Sequence, residues 1–144
     1  MSHASLIQSF FAAYAARTNA AIADPKAMDV KAMRAAFADY FVGAAPNGVA
    51  GGKNGLLFRL MLPRGINYYR KIGTLAMDLK DVRVTDLDHH HAMAHVDWNA
   101  RYRGGQEIAF TNIYLLQVRE GVPKIFAWIT GDEQQALKDS GVID

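Results

Sequence analysis

The chain has 144 residues, of which 51% are hydrophobic, with 16 basic against 14 acidic residues and no cysteine. This length suits one domain that buries about 70% of its unfolded surface, and the lack of cysteine excludes disulfides, thiolate catalysis and cysteine-ligated metal. The basic residues are scattered, so we expect no nucleic-acid partner. No apolar run approaches about 18 residues and no Lys or Arg precedes the apolar N-terminus, so we expect a cytoplasmic protein without a membrane partner.

The first part of the chain carries helical patterns. Apolar residues recur at helical spacing from Ser5 to about Ala23, and the following Asp24-Pro25 ends that helix because proline disfavours helical backbone in the residue before it. Asp29 can cap a second helix that stops at Gly43. One face of this second helix is predicted to carry Val30, Met33, Phe37, Tyr40 and Phe41.

A glycine-rich segment from Gly43 to Gly55 is predicted to be a loop with a short strand around Val49. Its Gly51-Gly52-Lys53 run suggests a phosphate-binding loop, but Asn47 replaces a glycine and Asn54 replaces the metal-binding Ser or Thr. A turn region is therefore favoured. The apolar residues from 56 to 72 predict a helix that is broken at Pro63-Arg64-Gly65.

The second half of the chain alternates with the period of β-strands. Residues 74 to 88 predict a strand, and a phase change across Lys80-Asp81 predicts a bulge that bends the sheet. Residues 91–103, 107–119 and 122–130 predict three more strands joined by two tight turns. A short helix should begin after Gly131. Helices followed by an antiparallel run of strands predict an α+β domain with helices on one face of a bent sheet.

The register of the last three strands decides which side chains face the helices. Two-residue turns would pair Arg103 with Gln106 and Arg119 with Val122. The inner face would then hold Trp98, Tyr102, Ala109, Thr111, Ile113, Leu115, Phe126, Trp128 and Thr130, and the outer face would hold Asp97, Asn99 and Arg101. A three-residue loop at either turn would exchange the two faces of every strand beyond it.

This order of elements resembles the nuclear transport factor 2-like superfamily, in particular its SnoaL-like branch of polyketide cyclases and ketosteroid isomerase-like proteins. Locally, Trp128-Ile-Thr-Gly-Asp132, with Leu137 and Gly141-Val142, is similar to the end of SnoaL-like sequences. The resemblance implies one SnoaL-like domain over residues 1–144. It implies a cone-shaped, curved antiparallel sheet with N-terminal helices on its concave face, an apolar pocket, and a homodimer formed through the outer sheet face.

The resemblance also implies roles for individual residues. Asp132 is the candidate acid/base and Tyr14 the candidate hydrogen-bond donor to an oxyanion, while Thr111 lies about where ketosteroid isomerases carry a protonated aspartate. The expected ligand-binding wall consists of Trp98, Tyr102, Thr111, Ile113, Phe126, Trp128 and Tyr40. Two features depart from the pattern: residues 43–55 contain no carboxylate, and the strand before the final hairpin contains no histidine.

The residues themselves permit simpler interpretations. Asp132 can act as an N-cap of the terminal helix, and Tyr14 can be a core aromatic on an amphipathic helix. His89 and His91 could share a metal ion, but His95 is about 13 Å along the strand from His91, so we expect no metal and no cofactor. The sequence predicts a pocket for a small apolar or aromatic carbonyl compound. It leaves open proton-transfer catalysis of the isomerase, cyclase or hydratase type, or a non-catalytic ligand-binding or dimerisation module.

Overall fold

Each of the four α-helices begins or ends where the sequence predicts. The computed structural model describes residues 2–144. Helix α1 (Ala4–Ala23) ends at Asp24, which caps a single 3₁₀ turn (Pro25–Ala27). Helices α2 (Val30–Ala35) and α4 (Glu133–Asp139) start at aspartates, because the Asp29 and Asp132 carboxylates accept hydrogen bonds from backbone N–H groups of the first turn.

The second predicted helix is much shorter than expected. Strand β1 (Phe37–Ala45) begins two residues after α2, and strand β2 (Gly48–Lys53) returns antiparallel to it. The prediction of a helix up to Gly43 is therefore wrong. Of the loop predicted up to Gly55, the short strand around Val49 is confirmed as β2. Phe37 and Phe41 misled the prediction because residues four apart share a side in a strand as well as in a helix.

Helix α3 (Leu56–Lys71) is continuous through Pro63, so the predicted break is also wrong. Proline in a helix interior costs about 3 kcal/mol. The apolar face of α3 extends to both sides of this proline, from Phe58 and Leu62 to the buried Ile66. Packing of that face against the rest of the protein outweighs the local preference.

The sheet is curved and has six strands in the order β2-β1-β6-β5-β4-β3. The remaining strands are β3 (Thr74–Asp86), β4 (His91–Tyr102), β5 (Glu107–Arg119) and β6 (Val122–Ile129). The predicted α+β class is confirmed, and so is the bulge in β3, where the pairing shifts between Leu79 and Asp81. The sheet is not wholly antiparallel, because β1 runs parallel to β6.

The two hairpin turns differ, and this decides the faces of the sheet. Arg119 pairs with Val122 as predicted. In contrast, the Tyr102 N–H donates to the Gln106 carbonyl at 3.0 Å, which leaves a three-residue loop that ends at Gly105 with φ of 90°. Glycine adopts this backbone without a steric penalty. The two-residue turn predicted after β4 is therefore wrong, and the faces of β5 are exchanged.

A further shift in pairing between Leu115 and Leu116 sets the orientation of β6, so that Tyr114 pairs with Trp128. The concave face carries Trp98, Tyr102, Phe110, Tyr114, Leu116, Ile125 and Trp128. The predicted inner positions Ala109, Thr111, Ile113, Leu115 and Phe126 lie on the outer face instead.

The closed part of the core lies under α1. Ile7 and Phe11 have no exposed surface and pack with the equally inaccessible Val96 and Leu116 of the sheet. Strand β4 presents alanines, including Ala94, in this region. Helix α1 packs against β3, and the interface is filled by side chains that solvent does not reach.

Candidate functional site

A cavity of about 680 Å³ lies between α1, the β1–β2 hairpin, α3 and the end of β6. Most of its surface is apolar. Its wall includes Tyr14, Phe41, Phe58, Leu62, Tyr69 and Trp128. The concave sheet and helices therefore enclose a hollow at this end of the molecule, which we call the first cavity.

Aromatic side chains form one wall of the first cavity. The ring centroids of Phe41 and Phe58 are 4.6 Å apart, and those of Phe41 and Trp128 are 5.5 Å apart. The indole of Trp128 lies over Gly43, where an added Cβ would come within 2.6 Å of the ring. Glycine at position 43 thus gives Trp128 the space that its orientation requires.

The opposite wall contains little side-chain volume because β2 supplies Gly51 and Gly52. A Cβ added at Gly52 would meet no other atom within 4 Å. The open space at this position shows that the hollow results partly from missing side chains.

The hydroxyl of Tyr14 is the polar group best placed to contact a ligand in this cavity. It makes no hydrogen bond within residues 2–144, although the ring packs near Trp98 with a centroid distance of 6.2 Å. Burial raises the pKa of Tyr14 far above its usual value. The hydroxyl therefore stays protonated and can donate a hydrogen bond.

A second cavity of about 250 Å³ lies beside the start of α4 and is more polar. Tyr69 lines both cavities. Burial raises the pKa of Tyr102, another lining residue, to about 12. Burial also raises the pKa of Glu133, although a hydrogen bond with the Tyr69 hydroxyl opposes that shift. Glu133 is exposed as a whole residue, but the surroundings of its carboxyl group disfavour the charged form.

Asp132 acts as the N-cap of α4. One carboxylate oxygen accepts a hydrogen bond from the Gln135 N–H at 3.0 Å. Asp132 lines the second cavity, whereas Tyr14 lines the first. The two catalytic candidates of the sequence prediction therefore do not line a common cavity.

The family model described as NTF2-like protein (DUF6841) matches residues 4–133. The chain belongs to this NTF2-like family. The resemblance inferred from the order of elements is confirmed. No curated protein matches the chain.

Solved structures with this fold cover nearly all of the NTF2-like chain. An NTF2-like protein with a cystatin-like fold from Novosphingobium aromaticivorans has a TM-score of 0.66 and 14% identity over 97% of this chain and 88% of its own. A putative polyketide cyclase from Xanthomonas campestris pv. campestris has a TM-score of 0.56 and 18% identity over 99% and 100% of the two chains. At such identities the likeness shows the fold alone.

A third structure is a hypothetical protein with a ketosteroid isomerase-like fold from Catenulispora acidiphila, in complex with trimethylamine. Its TM-score is 0.55, with 15% identity over 92% of each chain.

In this NTF2-like protein, two of the seven predicted ligand-binding residues line a cavity. Trp128 lines the first cavity and Tyr102 the second. Trp98 is buried in the core with 4% of its surface exposed and lines neither cavity. Tyr40 is 70% exposed on β1, because this segment is a strand and not the predicted helix.

The other three predicted wall residues lie on the outer face of the sheet. Thr111, Ile113 and Phe126 are there because the loop after β4 has three residues, which exchanges the faces of β5 and of the first part of β6. The shift in pairing between Leu115 and Leu116 then returns Trp128 to the concave face. Thr111 donates a hydrogen bond to the Asp97 carboxylate at 2.6 Å. Its predicted position in the pocket is therefore wrong.

Charged residues on the outer face pair with one another, as their predicted outward orientation permits. Asp97 lies 2.6 Å from Arg83, and Asp78 lies 2.6 Å from Arg101. Hydrogen bonds from these arginines lower the pKa of both aspartates. The pairs are exposed, so each contributes little to stability.

The sequence also left open a metal ion shared by His89 and His91 near the β3–β4 turn. There His91 contacts the Asp88 carboxylate at 2.9 Å. Within residues 2–144 no three His, Cys, Asp or Glu side chains are arranged to hold a metal ion. In the same part of the chain, no helix has both the length and the apolar character needed to cross a bilayer.

Sequence reasoning missed several residues that line the cavities. Phe58, Leu62, Ile66 and Tyr69 recur at helical spacing, but the assumed break at Pro63 concealed this common face. Phe41 was assigned to a helix. Glu133 follows the predicted Asp132 directly, and no pattern in the sequence distinguishes it.

Proposed function

We propose that this protein binds a small apolar or aromatic compound that carries a carbonyl or another hydrogen-bond acceptor. The observation that carries the proposal is a largely apolar cavity of about 680 Å³ with the unpaired hydroxyl of Tyr14 at its wall. Ligand pockets commonly have volumes of about 300–1,000 Å³ and combine apolar walls with few polar groups.

The wall suggests how such a compound would be held. Phe41, Phe58 and Trp128 offer aromatic surface for a flat ring, and Tyr14 offers one hydrogen bond to an acceptor. A hydrogen bond of this kind contributes about 0.5–1.5 kcal/mol, or roughly 2- to 12-fold in affinity. The trimethylamine complex of the Catenulispora protein is consistent with a ligand-binding role for the fold.

Binding can be measured with 2-naphthol and acetophenone by saturation-transfer NMR and isothermal titration. Tyr14→Phe should weaken binding about 2- to 12-fold without lowering the melting temperature, because its hydroxyl has no protein partner to lose. Gly52→Leu should fill the first cavity and weaken binding further. The proposal fails if neither probe binds, or if both variants bind as tightly as the original protein.

A second candidate function is proton transfer on the bound carbonyl compound. The observation that favours it is Glu133, whose raised pKa suits a general base, beside Tyr69, which lines both cavities. The Glu133 carboxylate would remove a proton from the carbon next to the carbonyl. Tyr102, which lines the same cavity as Glu133, would stabilise the resulting oxyanion by a hydrogen bond. Such chemistry needs no cofactor. Asp132 remains the alternative base.

Exchange of the acetophenone methyl protons in D₂O, followed by proton NMR, tests this candidate. Glu133→Gln should reduce protein-dependent exchange at least tenfold while acetophenone still binds. Asp132→Asn is the matched control, because asparagine also caps helices. Loss of exchange only in Asp132→Asn would assign the base to Asp132. Absence of exchange with the unaltered protein would contradict proton transfer and leave only the proposed role in ligand binding.

We also propose that the outer sheet face forms a homodimer. Half-buried apolar side chains on this face include Ile113, Leu115 and Phe126. Their pairing with a second copy would remove them from water. Sedimentation equilibrium should report a dimer that Leu115→Glu converts to a monomer. A monomeric unaltered protein at micromolar concentration contradicts this proposal.

A further inference from the structure

The N-terminal half of α3 carries apolar side chains that are largely exposed to solvent, although some of them also line the first cavity. Leu56, Leu57, Leu60 and Met61 are 63%, 71%, 53% and 55% exposed. At about 100° per residue they cover an arc of about 140° on the helix. Phe58, Leu62 and Ile66 face the interior from the opposite side of the same helix. We call the four exposed residues the α3 patch.

The α3 patch borders the mouth of the first cavity. Leu56, Leu57 and Met61 belong both to the patch and to the cavity wall. The same wall includes Lys53 at the end of β2 and Gly55 just before α3. A surface placed against the patch would therefore also cover or adjoin the opening through which a ligand enters.

Basic side chains surround the α3 patch. Lys53, Arg59 and Arg64 are exposed, and within residues 2–144 none of them makes an ion pair or a side-chain hydrogen bond. The segment from 40 to 77 contains no acidic residue, the nearest along the chain being Asp39 and Asp78. The patch thus combines apolar surface with unbalanced positive charge.

We propose that the α3 patch docks on an anionic lipid bilayer, with its leucines among the acyl chains and its basic residues at the headgroups. An amphipathic helix with leucine on one side and Lys or Arg at its border binds bilayers in the plane of the interface. Each basic residue near an anionic surface contributes about 1 kcal/mol. Leucine side chains offer no hydrogen bonds to nucleic acid, so a phosphate backbone fits the patch less well.

This contact differs from a spanning segment. The sequence prediction of no membrane partner relied on the lack of a long apolar run, and a peripheral contact needs only one exposed helix face. The proposal does not rest on ligand binding, since it needs only that the four patch residues are exposed.

Co-sedimentation with vesicles tests the docking surface. The full chain should bind anionic vesicles of phosphatidylcholine that contain about 30 mol% phosphatidylglycerol. It should bind pure phosphatidylcholine at least tenfold more weakly, and 0.5 M salt should weaken anionic binding because salt screens the charges.

Matched variants identify the residues responsible. Leu57→Glu with Leu60→Glu should reduce anionic vesicle binding at least tenfold. Leu87→Glu, at a leucine that is 53% exposed in the β3–β4 turn, should leave binding nearly unchanged. Unchanged melting temperatures would show that the variants fold.

Three results would overturn the proposal. One is no binding of the unaltered protein to anionic vesicles, and another is equal binding of all variants. The third is a dimer that Leu57→Glu with Leu60→Glu disrupts while vesicles do not bind, which would assign the patch to a second copy of the chain. Failure of 2-naphthol or acetophenone to bind would affect the proposed ligand role only.

Discussion

The two halves of the concave sheet face are covered by different helices and packed in different ways. Under α1, Phe11 and Leu116 have no exposed surface and the layer is closed. Beside α3, the same sheet borders a hollow of about 680 Å³. Both halves are apolar, so hydrophobicity alone does not explain the difference.

The difference lies in how side-chain volume is distributed. Large residues of α1 fill the space between this helix and the sheet, where α1 packs against β3. In the α3 half, Phe58 and Trp128 form a wall, but Gly52 contributes no side chain to the opposite wall. A curved sheet therefore supplies a concave surface, and local side-chain volume decides whether that surface is closed or can receive a ligand.

The sharpest test of this difference compares two leucine truncations. Leu116→Ala should lower the free energy of unfolding by about 2–5 kcal/mol, because it opens a void in a closed layer. Leu62→Ala should cost only about 1 kcal/mol, because Leu62 already borders the cavity. Urea denaturation monitored by tryptophan fluorescence measures both. Equal losses of unfolding free energy in the two variants would indicate that side chains fill the first cavity in solution.

A pair of glycine substitutions tests the hollow half alone. Gly43→Ala should lower the free energy of unfolding by about 1–3 kcal/mol and shift the fluorescence of Trp128, because the new methyl group overlaps the indole.

The matched control is Gly52→Ala. A methyl group at that position meets open space, so stability should change by less than about 0.5 kcal/mol. Similar losses of unfolding free energy in the two variants would show that the wall around Gly52 is closely packed and not open.

The smallest expected effect concerns pH and the second cavity. The pKa of Glu133 is raised above the ordinary 4.5, so the folded protein holds this proton more tightly than the unfolded chain does. Stability should therefore fall as pH rises from about 4.5 through the raised value, and then level off with respect to this group. Glu133→Gln should remove this part of the pH dependence of stability. Thermal melts from pH 4 to pH 8 measure it, and identical profiles for the two proteins would contradict the prediction.

The sequence predicted the local elements best where one pattern had one interpretation. The helical spacing of α1, the aspartate caps at Asp29 and Asp132 and the bulge of β3 are all local features, and each is present. The prediction of a helix for residues 37–43 is wrong because the spacing of their aromatic residues fits both a helix and a strand.

The candidate site was predicted less completely than the fold. Tyr14 and Trp128 both line the first cavity. Trp128 faces it only because the shift in pairing between Leu115 and Leu116 offsets the exchange of faces at the loop that ends at Gly105. Tyr69 and Glu133 were missed because their importance depends on elements distant in sequence that meet at the second cavity.

The sequence by itself determined the α+β class, the resemblance to NTF2-like proteins and the two ends of most elements, because periodicity, caps and turns act over a few residues. The tertiary structure decided the sheet register and the positions of the cavities. One additional residue in the loop that ends at Gly105 exchanged the faces of β5, and no local pattern distinguishes a two-residue from a three-residue loop at Arg103-Gly104-Gly105.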